Sequence, residues 1–186
     1  MRLKVQSLYI NEIWSVDLAY MDKLASSNDG FLYLFVAVDT LSRMLYVQPM
    51  KKKTAIEAKK LFSTIISNGK KPDKLWVDQG GEFEADFGKF CKTENIHIYW
   101  TNSETKSAFA ERNIRSLKSI IYRYLHENKT NRYIDKLQDF VKIINCRVNR
   151  MIGIAPIDVS KRDESRLVSL CNTNPAKKPR FKIGDT

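Results

Sequence analysis

The sequence predicts an α/β layered domain: a mixed five-stranded sheet, its first three strands antiparallel, flanked by helices. Three observations carry this. Phe31-Leu32-Tyr33-Leu34-Phe35-Val36-Ala37-Val38 is apolar throughout, as a strand buried on both faces requires. Strand-like segments flank it on either side across short polar turns, which makes an antiparallel meander. From Thr54 onward, helical and strand-like segments alternate, the pattern of helical crossovers. At 186 residues, 43% hydrophobic and 11% aromatic, the chain suffices for one domain with its own core.

The elements follow in order. Residues 1–11 read as a lead-in. Ile13 to about Met21 is the first strand, and Ser26-Ser27-Asn28-Asp29-Gly30 the turn into the second, Phe31–Val38. Asp39-Thr40-Leu41-Ser42-Arg43 turns the chain, with Asp39 capping the turn, and Met44–Met50 returns as the third strand. Thr54 is an N-cap for a helix over Ala55–Ser67, which Asn68-Gly69 ends. Asp73–Asp78 is the fourth strand, Glu84–Asn95 a short helix and Ile96–Trp100 the fifth strand. A polar loop (101–105) precedes a helix running to about Asn128, and another helix spans roughly Tyr133–Asn149. The core is expected over 12–170, with a small final element after Pro156. Residues 171–186, polar, basic and carrying Pro175 and Pro179, read as a linker and the start of a further β module. Trp14, Trp76 and Trp100 fall in or at the ends of strands and are expected in the core.

Charge narrows the function. Lys and Arg number 32 against 21 acids, a formal net charge of +11, which points to a polyanionic partner, nucleic acid before an anionic membrane surface. No apolar run approaches a membrane span and no signal peptide is evident, so an intracellular protein is expected. Cys91, Cys146 and Cys171 are too scattered for a disulfide framework, and His97 and His126 lie far from any cysteine pair, against a zinc site. His97 reads as a residue on the less buried face of its strand.

Against this basic background three acids stand out. Asp17 lies inside Ile13-Trp14-Ser15-Val16-Asp17-Leu18, and Asp78 closes Leu75-Trp76-Val77-Asp78 ahead of Gln79-Gly80-Gly81-Glu82-Phe83. Glu111 stands in the long basic helix. Acids in or at the end of strands are costly without a compensating charge. Two strand acids converging at one sheet edge with a helix acid suggest a site for hard divalent cations such as Mg²⁺, acting on nucleic acid. In a two-ion arrangement Asp17 would bridge both ions, Asp78 would complete the first and Glu111 the second. On α-helical spacing Ala110, Ile114, Leu117 and Ile121 form a core stripe, while Glu111, Arg115, Lys118 and Tyr122 run one residue later. Taken alone, Glu111 reads first as an exposed i,i+4 ion pair with Arg115, while Arg115 and Lys118 equally serve as contacts for DNA phosphates.

The three acids with Trp14-Ser15-Val16, Val77-Asp78-Gln79-Gly80-Gly81-Glu82-Phe83 and Ala110-Glu111-Arg112 resemble the catalytic core of retroviral-type integrases. Glu104-Thr105-Lys106-Ser107-Ala108, Tyr133-Ile134-Asp135-Lys136-Leu137 and Ala155-Pro156-Ile157-Asp158-Val159 are most similar to integrases of Polinton (Maverick) DNA transposons. The resemblance covers about residues 8–165. It implies an RNase H-like fold, two Mg²⁺ (or Mn²⁺) ions on Asp17, Asp78 and Glu111, and transfer of element DNA 3′ ends into target DNA. It further implies a homodimer or higher oligomer, a nuclear location, no small-molecule cofactor, and DNA contacts from Arg115, Lys118 and the loop residues Asn102, Ser103 and Lys106. The chain departs from the pattern at Asn113 and Ile114, where an aromatic and an Asn are frequent, and at Asn149, where a His is common. Two other readings stay open: a decayed integrase that only binds DNA, and an RNase H-type nuclease, which usually carries a fourth acid. Gly80-Gly81 reads as a tight turn that frees Asp78. Glu82 reads as either a group beside Asp78 or a surface residue, and Lys51-Lys52-Lys53 as either a solvated run or a phosphate contact.

Overall fold

The structure, a computed structural model, describes residues 7–67, 69–101 and 108–172. Five strands, β1 (Ile13–Tyr20), β2 (Tyr33–Asp39), β3 (Leu45–Met50), β4 (Lys74–Asp78) and β5 (His97–Thr101), form one sheet in the order β3-β2-β1-β4-β5. The β1-β2-β3 meander is antiparallel, whereas β4 and β5 add in parallel. Helices α1 (Ala55–Ile66) and α2 (Ala85–Thr93) cover one face, and α3 (Ala108–Glu127) and α4 (Leu137–Cys146) the other. A last helix, α5 (Glu164–Asn172), packs through Leu167 against Leu41 and Ile152. This is the mixed, helix-flanked sheet that the sequence predicts.

The two-residue period of the strands divides their side chains between two cores. Trp14, Val16, Phe35, Leu75 and Val77 meet Phe62 and Phe87 beneath α1 and α2. Leu34, Val36 and Val38 meet Leu117, Ile121 and Phe140 beneath α3 and α4. A strand covered on both faces has no polar side, which explains the unbroken apolar run of β2. The predicted α3 stripe is found: Ala110, Leu117 and Ile121 are fully buried and Ile114 packs at the margin.

Local signals place the helix ends. Thr54 Oγ1 accepts from the Glu57 backbone N–H at 3.4 Å, and the Glu57 carboxylate in turn accepts from the backbone N–H groups of Lys51 and Lys52. Gly69 follows α1 at φ +80°, a conformation glycine adopts without steric cost. Asp39 caps its turn as expected, accepting from the Leu41 N–H and the Ser42 hydroxyl.

Three expectations are corrected. The second strand begins at Tyr33; Phe31 instead lies under the Lys51 ammonium and Leu32 is partly exposed. The predicted 133–149 helix is a 3-10 turn (Ile134–Lys136) followed by α4, which stops at Cys146 because Arg147 is extended and Asn149 folds the chain back on residues 151–154. Trp14 is buried and Trp76 half-buried, but Trp100 is 41% exposed, since β5 is an edge strand without a neighbour to cover it.

Asn28, read from sequence as one residue of a polar turn, is a buried staple. Its amide donates to the carbonyls of Leu24 and Asn131, and its oxygen accepts from the backbone N–H groups of Tyr133 and Ile134. All four hydrogen-bonding positions of the side chain are used. The staple fixes the α3–α4 connection to the loop before β2. Cys91 is buried and Cys146 exposed, both free, and among the described residues no helix is long and apolar enough to cross a membrane.

Candidate active site

Strand register brings the two strand acids together. Val16 of β1 pairs with Val77 of β4, so Asp17 and Asp78 come one residue later on adjacent parallel strands. Val16 and Val77 both face the α1/α2 core, and alternation turns Asp17 and Asp78 to the α3 side. Ser15 lies on that side too, and its Oγ accepts from the Ala110 backbone N–H at 3.3 Å. The first turn of a helix has N–H groups with no partner inside the helix. Here a strand hydroxyl satisfies one of them, which docks the start of α3 beside β1 and sets Glu111, the next residue, at the acids' edge.

The electrostatics follow. Asp17 is half-buried, and its Oδ1 accepts from the Leu18 N–H at 2.7 Å. Burial, opposed by that hydrogen bond and reinforced by the charges of Asp78, Glu111 and Glu82, pushes its carboxyl from an ordinary 3.8 to about 6. Asp78 and Glu111, the two other acids singled out in the sequence, thus both act on Asp17. The alternative exposed pair is not formed: among the described residues no ion pair joins Glu111 to Arg115.

A fourth acid belongs to this edge. Glu82 is only 6% exposed and forms an ion pair with Lys53 at 3.3 Å, and Lys53 also donates to the Tyr20 hydroxyl at 3.2 Å. Gly80 makes room for it: a Cβ there would lie 2.6 Å from both Glu82 carboxylate oxygens. Gly80 and Gly81 thus form a tight turn whose missing side chain lets a carboxylate fold in where it acts on Asp17. Glu82 is therefore not the surface residue of the second reading. Its pattern was visible in the sequence as an acid between a Gly-Gly pair and an apolar Phe83, but the Lys53 partner, reached through a fold-back from β3, was not. Glu82→Gln is expected to let Asp17 ionise at lower pH, read from the carboxyl carbon resonance of Asp17, and to cost about 1 kcal/mol through the weakened Lys53 contact.

The DNA-binding candidates divide. Arg115 is exposed one turn beyond Glu111 and Lys118 is half-buried on the same helix. Asn102, Ser103 and Lys106 lie outside the described residues, as do 1–6 of the lead-in and 173–186 of the expected linker. Lys51, Lys52 and Lys53 are exposed, with the Lys53 ammonium committed to Glu82. His97 is exposed on β5, as expected.

The donor set suits a hard cation: carboxylate oxygens from two strands and a helix, carrying more negative charge than the nearby Lys53 offsets. Among the described residues no group of three or more His, Cys, Asp or Glu side chains is already arranged to hold a metal ion. The fit is therefore one of donor chemistry and charge.

The fold and this edge define a class. The profile of the integrase core domain family matches residues 10–106, which hold Asp17 and Asp78, and the chain belongs to that family. A transposon-derived protein of Caenorhabditis elegans is 32% identical over 167 residues, 89% of this chain and 57% of the relative; the chain thus spans little more than half of that protein's length. A chain of the simian T-cell lymphotropic virus intasome superposes with a TM-score of 0.72 at 21% identity, covering 96% of this chain and 58% of its own. The HTLV-2 integrase catalytic core, solved with magnesium in a trimeric form, gives 0.69 at 23% identity over 83% of this chain and 99% of that one.

Proposed function

We propose that the chain is the catalytic core of a DNA integrase, transferring the 3′ ends of element DNA into target DNA, with Asp17, Asp78 and Glu111 holding two Mg²⁺ or Mn²⁺ ions. The observation that carries this reading is the convergence of the three acids: strand register aligns Asp17 with Asp78, and the Ser15–Ala110 contact sets Glu111 beside them. Bound at such a site, divalent cations supply Lewis-acid charge to the attacking and leaving oxygens of phosphoryl transfer.

The chain's own groups prepare that chemistry. Asp17 must give up its proton to act as a ligand, which its position near pH 6 allows at neutral pH. The Ser15–Ala110 contact fixes where Glu111 starts. Arg115 and Lys118, on the turns after Glu111, contact backbone phosphates and set the register of the DNA. Lys53 pairs with Glu82, which leaves the metal-binding role to Asp17, Asp78 and Glu111 and favours the integrase over the nuclease with four acids. The phrasing at 104–108, 133–137 and 155–159 supports a Polinton-type element as the source. A homodimer or higher assembly and a nuclear site of action go with this reading, as does a domain boundary near residue 170.

The test is strand joining. The protein is incubated with Mn²⁺ or Mg²⁺, an oligonucleotide bearing the element's end and a target duplex. Joined products are expected, and Asp78→Asn should lower them about 10³-fold or more, the loss of several kcal/mol of charge stabilisation. Nicking without joining would identify a nuclease, and salt-sensitive binding with neither product a decayed integrase.

A further inference from the structure

Beyond the acidic edge, a groove of about 550 Å³ runs between α3 and the segment following α4. Arg43, Arg112, Arg115, Arg123, Arg147 and Arg150 line it, and no Asp or Glu does. Six of the chain's eleven arginines gather here, and none of its twenty-one lysines. Five of them, all but Arg43, are exposed and make no ion pair among the described residues. Arg43 is buried in the groove lining, its guanidinium 4.3 Å over the Phe109 ring in the first turn of α3.

The selection of arginine over lysine is informative. A planar guanidinium fork matches a phosphate through two parallel hydrogen bonds, where an ammonium offers a point charge. Like charges gathered without acids repel, and a ligand with repeated anions removes that cost. On α3 the lining residues Arg112, Arg115, Ser116, Ser119 and Arg123 fall on one helical stripe. From Arg112 to Arg123 the helix rises about 16 Å, comparable with about five base-pair steps of axial rise along a duplex. Arg147 and Arg150 face this stripe from the opposite wall.

We propose that this groove binds the phosphate backbone of a DNA segment other than the stretch at Asp17, Asp78 and Glu111, with Arg115, one turn from Glu111, shared between the two. The choice of DNA over other polyanions rests on the proposed integrase reading; the phosphate chemistry does not. Ile143, Val148 and Met151 also line the groove and are exposed, so an acidic protein segment is the competing occupant.

Fluorescence anisotropy with a labelled duplex of arbitrary sequence, across a salt series, decides it. Arg147→Gln/Arg150→Gln should bind about tenfold more weakly than wild type, with a log–log salt slope shallower by about 2. Arg147→Lys/Arg150→Lys should recover the slope and only part of the affinity. Lys60→Gln/Lys92→Gln, an equal loss of charge on α1 and α2 across the sheet from the groove, should bind nearly as wild type does, and none of these binding results depends on strand joining. Unchanged affinity and slope in folded Arg147→Gln/Arg150→Gln would overturn the proposal. So would an equal loss of binding in Lys60→Gln/Lys92→Gln, or tighter binding of a poly-glutamate peptide that Arg147→Gln/Arg150→Gln abolishes.

Discussion

Asp17→Asn is expected to melt several degrees above wild type without divalent cations, and to join no DNA. The two outcomes share one cause. The Asp17 carboxyl titrates near 6 in the folded chain against 3.8 ordinarily, because burial and three neighbouring acids oppose its charge. A group whose folded value is raised stabilises the fold only while it is protonated. That contribution is full below about pH 4 and lost as pH rises through about 6, amounting to at most about 3 kcal/mol at neutral pH. The asparagine amide keeps the shape and removes the charge, so it abolishes the penalty; for a chain of this size each kcal/mol is worth about 2–4 °C. Wild-type stability should accordingly fall between pH 4 and 6 in chelator, and that slope should be smaller in Asp17→Asn. Differential scanning calorimetry over this range checks both. The same substitution removes a proposed metal ligand, so joining falls with Asp78→Asn.

Asn28→Ala is expected to be among the most damaging single changes away from the acids. It leaves the N–H groups of Tyr133 and Ile134 and the carbonyls of Leu24 and Asn131 without their partner at a fully buried position. Each unsatisfied buried group costs about 1–3 kcal/mol, so a loss of about 3–5 kcal/mol follows, or a melting temperature lower by about 10 °C. Asn28→Asp keeps the acceptors, loses both donors and buries a charge, and should be no better. Urea unfolding measures both. Duplex binding by the folded fraction at low temperature should be unchanged, because the staple lies on the α3–α4 connection and not at the acids.

What the sequence disclosed follows the range of each signal. Strand period and turn residues are local, and they placed all five strands within two residues at most boundaries. The β2 run and the α3 stripe announced burial on both faces of the sheet. The alignment of Asp17 with Asp78 was legible as convergence, but its cause, the Val16–Val77 register, is a contact between residues 61 positions apart. Longer-range pairings were out of reach: Lys53 with Glu82, Asn28 with Tyr133, and Arg43 with Phe109 all join segments that no local pattern links. Trp100 misled because composition marks a tryptophan as core, whereas position at a sheet edge decides its exposure. The arginine groove escaped notice because its two walls lie on separate segments, and the charge of each reads alone as an ordinary solvated face.

The most direct measurement is a titration of Mn²⁺ into wild type and Asp17→Asn at pH 7.5 and at pH 5, followed by calorimetry and by melting temperature. Ligation needs the ionised carboxylate, so wild type should bind and gain stability at pH 7.5, release protons on binding as pH is lowered toward 6, and respond weakly at pH 5. Asp17→Asn should show no such gain at either pH. An identical response from wild type and Asp17→Asn at pH 7.5 would contradict the assignment of these acids as a metal site.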